Sequence, residues 1–141
     1  NTKEIKTMSD TAIKLLMETH RWSGATYPNS GWNPRYIEGC EHFFYYNLEY
    51  RTRKKFIHGE PVCLGILVIT ALTDNDYEGM LRDIKEIGVR VHPEEFGVTE
   101  EDVIAAFATV KDFSEKNGLF YTVINEKKID ASFVKEILKN L

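Results

Sequence analysis

Two histidines stand where their spacing could do chemistry. His42 follows Glu41 in the run Gly39-Cys40-Glu41-His42-Phe43-Phe44-Tyr45-Tyr46, and His58 opens His58-Gly59-Glu60 sixteen positions later. Two neutral imidazoles that leave coordination positions open suit Zn(II) or Fe(II), and a catalytic site of that kind needs a third protein ligand. No Asp or Glu of the chain announces itself for that post. On a helix Glu41 points about 100° away from its neighbour His42. Glu60 is close enough to His58 to ligate the same ion or to hold the ring from outside. On spacing alone, a packed histidine in each of two helices accounts for the pattern as well as a metal does.

The elements between the two residues decide whether they can meet. On one unbroken helix, sixteen residues rise about 24 Å and leave the rings on nearly opposite faces. Pro61, however, suits the first turn of a new helix, so the chain must break before it. Residues 42 to 50 climb roughly 13 Å. The eight steps from Tyr50 to His58 can span roughly 26 Å extended. The return path is long enough to bring His58 back beside His42.

Periodicity along the rest of the chain predicts an all-α helical bundle occupying residues 1–141 as one domain. Ser9 or Asp10 can cap a helix that carries Ile13, Leu16, Met17 and His20, with Gly24 as its end. Residues 25–34 are rich in turn formers and read as a loop, in which Tyr27 and Trp32 pack as a lid or serve a function. Asn33-Pro34 predicts the opening of a central helix with Ile37, Cys40, Phe44 and Leu48 on one stripe and Phe43, Asn47 and Tyr50 on another. Arg51, Arg53, Lys54 and Lys55 at its far end read as a solvated, dipole-compatible terminus or as a phosphate contact. The apolar run 62–72 predicts a buried helix. Further helices follow over 76–87, from the capping box at Thr99-Glu100-Glu101-Asp102, and after Asp130. Only residues 89–91 and 118–124 read as extended.

The chain has 141 residues, 43% of them hydrophobic and 12% aromatic, with a formal net charge of −4. That is enough to close one core without disulfides, and too aromatic for a disordered segment. The acidic balance speaks against a nucleic-acid partner. The uncharged run 61–73 is shorter than the roughly 20 apolar residues of a membrane-spanning helix. Two cysteines make no disulfide scaffold and point to a reducing, cytoplasmic setting. No charged, then apolar, leader opens the chain. The first residue is Asn1 rather than Met, which raises the expectation of a cut edge of something longer.

The stretch 39–49 followed by His58-Gly59-Glu60-Pro61-Val62-Cys63-Leu64-Gly65 resembles the metal-site half of the iron-containing alcohol dehydrogenase and dehydroquinate synthase superfamily. Within it, the glycerol-1-phosphate dehydrogenase and glycerol dehydrogenase branches are the most similar. Those proteins carry a Glu-His helix, then His-Gly-Glu at about this spacing, then a helix with a small residue near Gly65. The resemblance implies the C-terminal helical domain of a two-domain enzyme. His42 and His58 would be two ligands of a divalent Zn or Fe ion. The third, acidic ligand would come from an earlier part of the helical domain. NAD or NADP would sit mainly on an absent N-terminal domain; Gly59 and Gly65 do not make its phosphate loop. The implied substrate is a small alcohol, polyol or polyol phosphate, and the implied full-length protein is a homo-oligomer.

Three departures limit the carry-over. Where many members have a second His four residues after the first ligand, this chain has Tyr46, a possible catalytic hydrogen-bond donor but a poor base at neutral pH. Pro61 and Cys63 replace the usual polar and small residues, and Cys63 reads as a buried small hydrophobe. The Tyr27–Pro34 segment differs from the short Gly/Ser-rich approach of the glycerol-1-phosphate enzymes. Two other readings stay open: a dehydroquinate synthase-like lyase that closes a carbocycle, and a non-enzymatic all-α interaction domain.

Overall fold

A computed structural model describes residues 1–141, apart from the side chain of Tyr36. Among the described residues the chain forms eight α-helices and no strand: α1 (Thr2–Thr7), α2 (Asp10–Asn29), α3 (Cys40–Thr52), α4 (Gly59–Leu72), α5 (Tyr77–Ile87), α6 (Glu100–Ala108), α7 (Val110–Lys116) and α8 (Ala131–Lys139). The all-α expectation holds. The two segments read as extended, 89–91 and 118–124, pair with nothing in a sheet.

Local chemistry places most of the boundaries. The Ser9 hydroxyl accepts from the Ala12 N–H at 3.2 Å, and Asp76 accepts from the Gly79 N–H at 2.9 Å. Thr99 and Asp102 cap one another reciprocally at 3.1 Å each. Gly88 ends α5 with φ +89°, a left-handed conformation open to glycine at little cost.

α4 is apolar around nearly its whole circumference and is buried accordingly. It packs along α3; α6 and α7 lie against α3, α5 and α8 lie against α4, and α6 meets α8. Phe44 of α3 stacks on Phe107 of α6 with ring centroids 3.8 Å apart and planes 3° from parallel. Leu48, Leu64, Leu67, Val68, Val103 and Val134 complete the centre of this core, each without exposed surface. Phe43 meets Phe120 edge-on at 4.9 Å, which ties the stretch after Gly118 to α3.

One polar residue lies inside this packing. Asn47, 2% exposed, donates through Nδ2 to the Ala106 carbonyl at 2.7 Å and to the Thr109 hydroxyl at 2.9 Å. The Ala106 carbonyl thus has a partner from another helix where α6 gives way to α7. The Thr109 hydroxyl donates back to the Ala105 carbonyl at 2.8 Å. This break explains why the helix expected after Thr99 is two helices.

The N-terminal third departs from expectation in three ways. Gly24 does not end α2, which runs on through Pro28 to Asn29. The stop is at Gly31, φ +74°, where the Gly31 N–H reaches the Pro28 carbonyl at 3.2 Å and the Trp32 N–H reaches that of Tyr27 at 3.0 Å. That is a Schellman motif, and its accompanying side-chain contact is Tyr27 against Trp32, edge-on at 5.2 Å. The two aromatics therefore close a helix end instead of forming a lid on the core. Second, Asn33-Pro34 opens only a single 3₁₀ turn, Pro34–Tyr36, and the central helix begins six residues past Pro34, at Cys40. Third, the apolar stripe of α2 is not packed: Ile13, Leu16 and Met17 are 45%, 42% and 69% exposed. α2 packs chiefly on α1 and on the Pro34–Tyr36 turn.

Replacing Asn47 with Ala should lower unfolding free energy by about 1–3 kcal/mol, because the buried Ala106 carbonyl loses its partner. Urea denaturation of the two chains checks this; equal stability would mean that the α6–α7 break has another origin.

Candidate metal centre

The chain leaves α3 through Arg53, itself in a left-handed conformation, and residues 54–57 carry it back to His58, the residue before α4. Phe56 anchors that return against Phe96, edge-on at 5.9 Å. His42, the third residue of α3, then faces His58 with Nε2 to Nε2 at 3.2 Å. The return path that chain geometry permits is the one taken.

Close approach of the two helices makes this meeting possible. A Cβ on Gly65 of α4 would lie 3.0 Å from Cα, Cβ and O of Glu41 at the same time. Any side chain there would wedge the start of α3 away from α4. Gly65 is thus the small residue that brings the Glu-His turn onto the helix that follows His58.

The ring of His42 is held from behind. Glu41 Oε1 lies 2.8 Å from His42 Nδ1 and also accepts from the Gly39 N–H at 2.8 Å. Burial pushes the Glu41 carboxyl up, but the hydrogen bonds from His42 and from backbone N–H groups outweigh it and hold the group below the ordinary carboxylate value. The His42 side chain is 13% exposed, whereas His58 stands in solvent. The pair is therefore open on the His58 side. Beside it, Ser23, Arg35, Ile37, Glu38, Gly39 and Glu41 line a cleft of about 430 Å³.

Two tyrosines border the pair. The Tyr45 ring meets His58 edge-on at 4.8 Å and its hydroxyl donates to Glu49 at 2.9 Å. Sequence reasoning passed Tyr45 over, although a residue three positions after His42 shares its side of the helix. Tyr46 has its ring centroid 6.3 Å from that of His42. Burial and the neighbouring Glu38 carboxylate push its phenol up to about 12, so at neutral pH it is a donor and not a base.

The remaining candidates have other employment. Glu60 is 7% exposed and takes the Arg90 guanidinium, with Arg90 Nε at 2.6 Å, so its carboxylate is an ion-pair partner of Arg90. Arg90 carried no local signal, being thirty residues away. Burial raises the thiols of Cys40, to about 11, and of Cys63, which keeps both protonated. The four cations after Tyr50 do not converge: Arg51 reaches the Thr109 hydroxyl at 3.5 Å, Lys55 pairs with Glu49, Lys54 donates to the Gly97 carbonyl and Arg53 lies over the Tyr50 ring. His20 is exposed on α2, its ring lying where a Cβ on Gly24 would touch it at 3.6 Å.

The imidazole pair fits a metal ion on one count and falls short on another. Two nitrogens each about 2.05 Å from a tetrahedral zinc stand about 3.3 Å apart, against the 3.2 Å seen here. Yet among the described residues no group of three or more His, Cys, Asp or Glu side chains is arranged to hold an ion. Among the described residues the two imidazoles face one another with no third ligating side chain beside them.

No family model matches the chain. Among curated proteins, the chain is 29% identical over 124 residues to the glycerol-1-phosphate dehydrogenase (NAD(P)+) of Thermoplasma volcanium, covering 87% of this chain and 34% of that protein. It is 28% identical over 115 residues to that of Hyperthermus butylicus, covering 82% and 32%, and 26% over 106 residues to that of Nitrosopumilus maritimus, covering 75% and 29%. The chain is a distant relative of the glycerol-1-phosphate dehydrogenases and spans about a third of the length of these relatives.

Gly65→Ala should destabilise the chain by about 1–3 kcal/mol through overpacking, despite the better helix propensity of Ala. Gly59→Ala, where a Cβ meets nothing within 4 Å, should be neutral or stabilising. Thermal unfolding of both variants distinguishes a close-contact glycine from a merely tolerated one. For Tyr46, ¹³C-tyrosine NMR should find a phenol still protonated at pH 11, and Glu38→Gln should bring its titration down. The neutral phenol favours the fold, a contribution present below the ordinary value of 10.0 and lost as pH rises through about 12.

Proposed function

We propose that this chain is the metal-binding helical part of a longer NAD(P)-dependent dehydrogenase acting on a small alcohol, polyol or polyol phosphate, of the glycerol-1-phosphate dehydrogenase kind. The facing Nε2 atoms of His42 and His58, 3.2 Å apart, carry this reading. The printed activity of the distant relatives supports it, as does the chain's coverage of only about a third of their length.

In this reading His42 and His58 are two ligands of a divalent Zn or Fe ion, and the third, acidic ligand comes from protein outside residues 1–141. The metal, when bound, supplies Lewis-acid polarisation of the substrate oxygen while hydride passes to or from the nicotinamide. His42 presents its ring from a partly buried seat, and His58 closes on it from the solvent side. Tyr46, kept protonated, donates a hydrogen bond toward the substrate oxygen and holds its proton there. Tyr45 packs its ring edge-on with His58 and so limits the ring's rotation. The nicotinamide dinucleotide is bound mainly by a separate domain, and the enzyme acts as a homo-oligomer in the cytoplasm. The exposed apolar stripe Ile13, Leu16 and Met17 is accounted for if further protein covers α2.

Co(II) titration followed by visible absorption tests the core of this reading. The chain should bind one Co(II) weakly, as two imidazoles do, and His42→Ala or His58→Ala should each abolish binding while the fold, followed by circular dichroism, persists. In the full-length protein the same substitutions should lower NAD(P)-dependent alcohol oxidation by at least about 10²-fold, the scale lost with a transition-state electrostatic group. Co(II) binding equal in all three chains would overturn the assignment.

A further inference from the structure

The seat of His42 carries more information than its ligand role requires. An ionised carboxylate offers no proton and can only accept hydrogen bonds. Glu41 Oε1, 2.8 Å from His42 Nδ1, therefore requires the ring proton to sit on Nδ1. In a neutral imidazole the other nitrogen is then bare, and that nitrogen, Nε2, is the one directed at His58. When both rings are neutral, His58 Nε2 is then the donor and His42 Nε2 the acceptor across the 3.2 Å separation.

The carboxylate is itself fixed in place. Its Oε1 receives the Gly39 N–H at 2.8 Å, which satisfies the first backbone donor at the start of α3. Oε2 occupies the space that a side chain on residue 39 would fill: a Cβ built on Gly39 would stand 2.5 Å from Oε2 and 3.1 Å from Oε1. The backbone at Gly39 is extended, with φ −140° and ψ −161°, a conformation any residue adopts. Glycine is required there for the room it leaves to the Glu41 carboxylate and not for its backbone freedom.

We propose that Glu41 is a positioning residue for metal capture: seated in the cradle left by Gly39, it locks His42 as the Nδ1–H tautomer with its Nε2 lone pair aimed at the ion position. The proposal rests on the reading that His42 and His58 share a metal. A carboxylate behind a ligating imidazole fixes the ring and raises its basicity, and loss of such a partner typically costs 10–100-fold in metal affinity. The bond also makes the pair asymmetric. His42 is ready to ligate, whereas His58 must release its Nε2 proton, by moving to the Nδ1–H tautomer, before both nitrogens can hold one ion.

The test is ¹⁵N long-range NMR of the histidine rings in the 141-residue chain above pH 8, first metal-free and then with Zn(II). Zn(II) affinity is measured by calorimetry. Wild type should show His42 as Nδ1–H in both states, with His58 changing from Nε2–H to Nδ1–H on adding zinc. Glu41→Ala should let His42 populate the Nε2–H form and weaken zinc 10–100-fold. Gly39→Ala keeps the charge but displaces the carboxylate, and should do the same. Glu41→Gln keeps an acceptor oxygen, so it should retain the tautomer and fall between wild type and Glu41→Ala in affinity. A merely structural role for Glu41 would not move the tautomer. A wild-type His42 in the Nε2–H form, or a tautomer or affinity indifferent to Glu41→Ala, overturns the proposal. If zinc fails to bind wild type while His42 shows the Nδ1–H form and loses it in Glu41→Ala, the tautomer lock stands and the shared-metal reading is what falls.

Discussion

The close contact between Gly65 and the backbone of Glu41 is the constraint on which the rest of the molecule depends. It brings two helices from separate stretches of chain to within bare van der Waals distance at one point. Everything chemical lies beside that point. The Glu-His turn is held against the helix that His58 precedes, and the loop 54–57 only has to return the chain to it. The apolar core of Phe44, Phe107, Leu64 and Leu67 fixes the helices relative to one another, so the geometry of two polar rings is set by packing behind them.

Electrostatics at the start of α3 reinforce that arrangement. Glu41 is partly desolvated, which by itself favours its neutral form, but its hydrogen bonds keep it charged. The same charge helps raise the buried Cys40 thiol, which stays protonated at neutral pH. Tyr46 is driven the same way by burial and Glu38. The first two turns of α3 thus hold an ionised carboxylate, a protonated thiol and a protonated phenol around the His42 imidazole.

α2 stands apart from this order. It has a proper N-cap and a complete Schellman motif at its end, so its local signals are those of a finished helix. Its apolar stripe nevertheless faces solvent. Local capping stabilises a helix end by only about a kilocalorie per mole, and lasting order in a long helix ordinarily comes from a packed apolar face. At the imidazole pair, too, two rings face one another with no third ligating side chain among the described residues. Both features suit the proposed place of the chain within a longer enzyme.

Residue type and spacing alone determined much: the all-α class, the caps at Ser9 and Thr99, the burial of the run after Pro61, and the choice of His42 and His58 as the pair to watch. These are local or periodic properties, legible because capping and amphipathicity act within a few residues. The length of α2 is not legible at Gly24, because glycine permits a helix end without requiring one, and the Schellman bonds that end the helix form at Gly31. Only the tertiary structure decided that Glu60 belongs to Arg90, that Asn47 reaches Ala106, and that Gly65 meets Glu41. It alone decided, too, that His42 faces His58 at 3.2 Å with Glu41 behind it. Each of those depends on two helices arriving at one place, and such an encounter is set by the packing of the whole core, which no local stretch of sequence encodes.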